Sequence, residues 1–409
     1  MKKYLAIALT LASVASMSAQ KANVDQANKL AGKVADLQTA RNLIKEAAQN
    51  PETQSDPRTY FTGGKVEFSA FDKGAQAASV NPESVDAAAL AENLLNGYNY
   101  FVMTLPLDGT QVDEKGKPIK AKYKKDISNI LSTHAPQFFE QGGAAYNAKA
   151  LPTAYQLFKV YGDMPELVEQ GVIINPAITN ENRALAYYYA GLSAYYADMV
   201  NEAADVLAKG RPLGFDEPTA YILEIASWQN IAQKDTARQA EAAKAIEVAA
   251  QAGYDKFGLE QPVFLNNLVN ARIMNDDFQG ALNLLNDVIA ANPDNGNLYG
   301  MRAFVYDRMD NNDASLADYR KSAEMETTDF ENLKNAAKKI MRVGTEKWNI
   351  IEGNSAEAQA AREDVKNNYF LQAKHITDLA KTKEGGADDY DLQNVIENID
   401  YVLETYFNN

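Results

Sequence analysis

From Val24 to Phe407 apolar residues recur every three to four positions, the period of a helix that buries one face. Segments of a dozen to twenty such residues alternate with short polar clusters, such as AANPDNGN at 290–297 and RMDNND at 308–313. These clusters read as helix punctuation, because Asp and Asn cap the next helix while Pro and Gly end the previous one. No stretch requires a strand within a sheet. The pattern predicts an all-α chain.

The pattern also repeats. When 265–293 is laid over 299–327, Leu265 falls on Tyr299, Ala281 on Ser315, Leu285 on Tyr319 and Val288 on Ser322, each pair 34 residues apart. The spacing from the opening large residue to the small residue of the second helix is 16 in both segments. It recurs from Tyr187 to Ala203, with Gly191 and Leu207 between and beyond, and from Phe138 to Ala154, with Gly142 and Phe158. A looser unit runs from Ile222 through Ala226 to Ala242, Ile246 and Ala249, with a longer turn around Gln233–Thr236. Partial units lie at both ends: Ala40, Ile44 and Ala47 followed by Tyr60 and Gly64, and later Ala373 and Ala380.

A large residue opening helix A, a small one in its middle and A-x3-F in helix B, at a 34-residue period, resemble the tetratricopeptide repeat (TPR) family. The resemblance covers most of 24–325 and returns weakly over 365–407. It implies antiparallel helix pairs stacked as an α-α superhelix, a TPR solenoid, with a concave inner face. Small residues let the paired helices approach, and large ones fill the gap to the next pair. The expected organisation is repeats over 20–326 and a degenerate repeat with a helical C-terminal cap over 327–409. Two departures interrupt it: the Gly-, Pro- and Lys-rich excursion at 106–122, read as a small hairpin turning at Glu114-Lys115-Gly116, and the long connection at 162–180 with Pro165 and Pro176.

The first residues read differently. Lys2 and Lys3 precede a short apolar run, Leu5 to Ala15, and Met17-Ser18-Ala19 supplies small residues for cleavage. Residues 1–19 are therefore expected to be a signal peptide, and the protein periplasmic or secreted. The run is too short to span a bilayer, and no later segment approaches the ~20 apolar residues a span needs. Without residues 1–19 the chain has 38 basic and 55 acidic residues, a formal charge of −17. Such acidity disfavours nucleic acid and anionic membrane as general partners. With no cysteine there is no disulfide, no thiolate metal site and no lipid anchor on an N-terminal cysteine.

Catalytic constellations are equally sparse. His134 and His375 are the two histidines. His134, before Ala135-Pro136, reads as a capping or surface residue at a helix junction, and His375 as one on a helix face beside Lys374. Gly63-Gly64-Lys65 lacks the upstream glycine of a phosphate loop, and Gly142-Gly143 reads as a small helical contact. Asp276-Asp277, and Asp310 with Asp313, fall at one place in successive repeats, where carboxylates satisfy free amides. No enzyme activity, cofactor or metal is expected.

The resemblance directs attention to the inner face instead. Residues one step off the core positions of each helix A should line it: Tyr188, Leu192, Tyr195 and Tyr196, then Ser227 and Asn230, Asn266 and Asn270, Phe304 and Arg308, and from the earlier unit Phe139 and Tyr146. Tyr188, Tyr195, Asn266, Asn270 and Phe304 are the leading partner residues, because aromatic platforms with amides suit an extended peptide. The chain is thus expected to be a protein- or peptide-binding adaptor. A carbohydrate-binding accessory protein of a nutrient-uptake system is the alternative, since stacked tyrosines also suit sugar rings.

Overall fold

The computed structural model describes residues 21–31, 33–81, 83, 85–113 and 115–407, so the expected signal peptide lies outside the described residues. The described chain is helical and its helices pack in adjacent pairs, in two compact units divided between Phe257 and Gly258. The first unit comprises α1 (residues 21–30), α2 (Leu37–Gln49), α3 (Pro57–Val80), α4 (Ala87–Thr104), α5 (Lys124–Asn147), α6 (Leu151–Asp163), α7 (Asn180–Tyr196), α8 (Val200–Gly210), α9 (Pro218–Lys234) and α10 (Gln239–Phe257). The second comprises α11 (Pro262–Met274), α12 (Phe278–Ala291), α13 (Gly296–Arg308), α14 (Asn312–Ala323), α15 (Phe330–Asn349), α16 (Ala356–Val365), α17 (Leu371–Lys381) and α18 (Tyr390–Phe407).

Local chemistry sets the starts. Proline occupies the first turn of α3, α9 and α11, where its missing N–H has no intrahelical partner to lose. The side chains of Asp56, Asp86 and Thr179 accept from backbone N–H groups at the heads of α3, α4 and α7. The turns inside the pairs share a second device. Lys149, Asp198, Asp276 and Asp310 all take left-handed backbone, with φ between 56° and 63°, each eleven residues after Phe138, Tyr187, Leu265 and Tyr299 respectively. Asp276 and Asp310 are therefore the left-handed turn residues, while Asp277 and Asn311 do the capping of α12 and α14.

The small positions sit where the repeat register puts them. Ala203, Ala281 and Ser315 have no exposed surface, and Gly191 is buried. A Cβ on Gly191 would stand 2.4 Å from Leu207 Cγ, and one on Gly142 2.8 Å from the Phe158 ring, so these are points of close helix approach. In α9 the register differs by one residue. Tyr221 and Ile225 are buried while Ile222 and Ala226 are half-exposed, so Tyr221 opens this unit. Its longer turn is a short 3₁₀ helix, Thr236–Arg238.

Hydroxyl ties join the head of one pair to the loop before it. Tyr60 donates to Gln54 O at 2.8 Å, Tyr221 to Phe215 O at 3.5 Å and Tyr299 to Pro293 O at 3.1 Å, each spanning six residues, while Thr328, in the loop before α15, donates over the same span to Ser322 O within α14 at 2.5 Å.

Both departures have defined local structure among their described residues; Glu114 of the expected turn lies outside these. Between α4 and α5 the chain forms an isolated antiparallel bridge, Val112 to Pro118, turning at Gly116 with φ 74°. The connection between α6 and α7 contains a 3₁₀ helix, Met164–Gln170, and a cis Asn175–Pro176 bond. Its Val172 and Ile174 join Ile127, Leu131 and Phe138 in a core. At the C-terminal end Trp348 of α15 packs on Tyr406 and Phe407 of α18, at ring distances of 5.4 and 4.8 Å, while Ala373 and Ala380 of α17 are fully buried.

Candidate binding site

The helix α2 buries Ala40, Ile44 and Ala47, and its neighbouring face carries Gln38, Arg41, Asn42, Lys45 and Gln49 at helical spacing. Across from that stripe stand Tyr60 and Glu67 of α3, and Glu92, Asn96, Asn99, Tyr100 and Met103 of α4. Together the three helices enclose an open cavity of about 600 Å³. Its walls are fixed from behind. Gly63 lets the Tyr100 ring lie against α3, where a Cβ would meet it at 2.9 Å. Tyr60 is held by its hydroxyl tie. Glu67 is only 2% exposed and is clasped by Arg41, Nε to Oε1 at 2.8 Å and Nη2 to Oε2 at 2.5 Å; Nη2 also donates to Asn93 Oδ1 at 2.6 Å.

This arrangement neutralises the buried charge of the cavity. The Glu67 hydrogen bond holds the Arg41 guanidinium above its ordinary pKa, and burial raises the Tyr100 hydroxyl, so that phenol stays a neutral donor and acceptor. Five carboxamides, Gln38 and Asn42 (bonded to one another at 3.0 Å), Gln49, Asn96 and Asn99, then bring donors and acceptors beside two tyrosines and Met103, which is 51% exposed. Among the described residues no group of three or more Asp, Glu or His side chains is placed to hold a metal ion.

The residues expected from sequence fall elsewhere. Tyr188, Leu192 and Tyr195 share one face of α7 and are half-buried. Tyr188 lies tilted against Tyr189 at 5.2 Å and lines a smaller cavity of about 240 Å³ with Glu181, Leu185, Phe215 and Glu217. Tyr195 meets Tyr196 edge-on at 5.9 Å, and Tyr196 is exposed. These belong to the first unit. In the second, Asn266 and Asn270 are exposed on α11, and Phe304, 39% exposed, lies with Arg308 on α13.

Among the remaining expectations, those for Ser227, His134 and Gly143 are overturned, while Asn230 and Phe139 are half-buried. Ser227 is fully buried and donates to Leu223 O at 2.7 Å, the result of the one-residue slip in α9. Asn230 turns its amide back to Ala226 O at 2.9 Å. Phe139 sits within an aromatic group, 5.1 Å from Phe158 and 5.4 Å from Tyr161. His134 is neither capping nor surface. It lies in mid-α5, buried between Phe68 and Phe71, with Nδ1 2.7 Å from Ile130 O and Nε2 2.9 Å from Asp72 Oδ1. The helix runs on through Pro136 instead of ending there. His375 is exposed on α17. A Cβ on Gly143, unlike one on Gly142, would meet nothing within 4 Å outside its own helix turn.

The cavity between α2, α3 and α4 escaped sequence reasoning, although the polar stripe of α2 and the NxxNYxxM run of α4 both carry helical spacing. No protein-family model matches the chain, and no curated protein does. Among solved structures, the TPR domain of P58(IPK) aligns over 95% of this chain and 99% of its own at 11% identity and a TM-score of 0.25. The complex of Naa15/Naa10 bound to HypK-THB aligns over 93% of this chain and 74% of its own, at 11% identity and a TM-score of 0.19. At those scores the similarity adds nothing to the fold, which rests on the chain's own helix pairs.

Proposed function

We propose that this protein is a non-enzymatic adaptor that holds a segment of a protein partner in extended form, with the α2–α4 cavity as its principal site. One observation carries the reading: five carboxamides and two tyrosines converge on a single open cavity whose buried carboxylate is already paired with Arg41. An extended peptide has an unsatisfied N–H and C=O at every residue, which side-chain amides match, while tyrosine and methionine supply adaptable apolar contact. Tyr188 and Tyr195 in the first unit, and Asn266, Asn270 and Phe304 in the second, serve as secondary contacts, each within its own unit. The charged start and apolar run of residues 2–15 support action outside the cytoplasm.

Selection from a library of unstructured peptides on the immobilised protein tests this. Asn99 and Met103 are exposed, so Asn99→Ala and Met103→Ala should leave the circular dichroism spectrum intact. Each should weaken the selected peptides by roughly 5–30-fold, that is about 1–2 kcal/mol. Peptides that bind these variants and a Tyr195→Ala/Asn270→Ala variant as well as the parent would refute the assignment.

A further inference from the structure

The excursion between α4 and α5 has a chemistry opposite to the rest of the molecule. The chain carries a formal charge of −15, yet residues 111–125 hold six lysines (115, 117, 120, 122, 124 and 125) against Asp113 and Glu114. None of these lysines forms an ion pair with a described residue, and all but Lys124 are exposed. Elsewhere lysines such as Lys209, Lys334 and Lys339 are spent on carboxylates.

The described residues of the segment are also tied down by hydrogen bonds. The buried Asp108 carboxylate accepts from Lys122 N at 3.0 Å and Tyr123 N at 2.9 Å, which closes the base of the excursion. Asp113 Oδ1 accepts from Lys115 N at 2.8 Å and Lys117 N at 2.9 Å. This acid is thereby engaged with backbone amides and not with the ammonium groups. Gln111 fastens the segment to Ser55 O at 2.8 Å. Two large apolar side chains, Val112 and Ile119, nevertheless stay outside, 61% and 42% exposed.

Exposed aliphatic side chains set among unpaired lysines match the boundary of an anionic bilayer, where the aliphatic groups enter the acyl edge and the ammonium groups stay with phosphates. A free acidic polypeptide would account for the lysines but would leave Val112 and Ile119 without a role. The protein's overall acidity does not prevent this contact. Fields from exposed charges more than ~8 Å away are largely screened at physiological ionic strength, so the local balance governs.

We propose that the 106–122 excursion, with Lys124 and Lys125, is a peripheral docking surface for an anionic lipid bilayer, separate from the peptide cavity. Co-sedimentation of the purified protein with phosphatidylcholine vesicles, with and without phosphatidylglycerol, tests it. The parent should bind only the vesicles containing phosphatidylglycerol, and binding should fall as salt is raised. Combined Lys115→Gln, Lys117→Gln and Lys120→Gln substitutions alter exposed side chains only. They should reduce the affinity roughly 100-fold, at about fivefold per lysine, and Val112→Ser should reduce it further at unchanged charge. Equal binding to both vesicle types, no binding to either, or an unaffected triple variant would overturn the proposal. So would capture of polyglutamate by the lysines with the vesicles ignored, which would assign them to an acidic protein segment.

Discussion

Adjacent glycines in α5 should respond to the same substitution with opposite signs. In Gly142→Ala the new Cβ would lie 2.8–3.0 Å from three atoms of the Phe158 ring. Carbon atoms prefer about 3.5–4.0 Å, so the ring must withdraw by about 0.7 Å. Phe158 is 2% exposed and walled in by Phe139 and Tyr189 at 5.1 and 5.4 Å, which leaves it little room. Overpacking of this kind costs about 1–3 kcal/mol, while alanine returns roughly 0.8–1.0 kcal/mol over glycine within a helix. The net expectation for Gly142→Ala is a loss of about 1 kcal/mol. At Gly143 no atom outside its own helix turn lies within 4 Å of where the methyl group would stand, so Gly143→Ala keeps the helix gain alone, about 0.8–1.0 kcal/mol of added stability. Thermal melts followed by circular dichroism at matched concentration read the difference, at roughly 2–4 °C per kcal/mol for a unit of this size. The two variants should straddle the parent. Shifts in one direction of similar size would falsify the packing register of α5 against α6.

The left-handed turns give a second check: Lys149→Gly should stabilise by about 0.5–1 kcal/mol, because a side chain at that φ costs about 1–2 kcal/mol and glycine returns part of it to unfolded-state entropy. Asp310→Val should lower the melting point, and unchanged midpoints in both would argue against left-handed backbone at these sites. The third concerns Glu224, fully buried beside Arg211; burial pushes its carboxyl up to about 7, above the ordinary 4.5. The folded state then binds the proton more tightly than the unfolded chain, so this contribution is complete below pH ~4.5 and is lost as pH rises through about 7, on the order of 3 kcal/mol in all. Urea unfolding between pH 5 and 7 should show the decline in the parent, and a Glu224→Gln variant that keeps the same slope would exclude Glu224 as its source.

What could be read in the sequence was what sterics dictates. Gly191 must be small because Leu207 is there, and Gly142 because of Phe158, so size classes at fixed spacing located four helix pairs. Where two large residues stand side by side, size says nothing. Tyr221 and Ile222 both qualify by size as openers of α9; Tyr221 is the one buried, with its hydroxyl turned back to Phe215 O six residues earlier, a feature that size classes do not register. His134 is misread from sequence because Pro136 looks like a stop, although one lost backbone bond is small against the burial of Leu131, Ala135 and Phe138 in the same helix. The α2–α4 cavity is hidden for another reason: on one helix, a row of Gln, Asn and Lys has the same composition as a solvated face. Only the approach of Tyr60, Asn96 and Tyr100 from two other helices makes it a site.

The hydroxyl ties decide to which pair a loop belongs. Gln54, Phe215 and Pro293 supply the acceptors for Tyr60, Tyr221 and Tyr299, and all three stand ahead of the helix that holds the donor. A duplication, deletion or graft that begins at the first helical residue therefore strands a phenol from its carbonyl. The transferable module starts six residues upstream of the tyrosine, with the loop travelling as a leader of the pair that follows it. A pair moved to another scaffold without that leader loses its fitted junction, however well its helices pack.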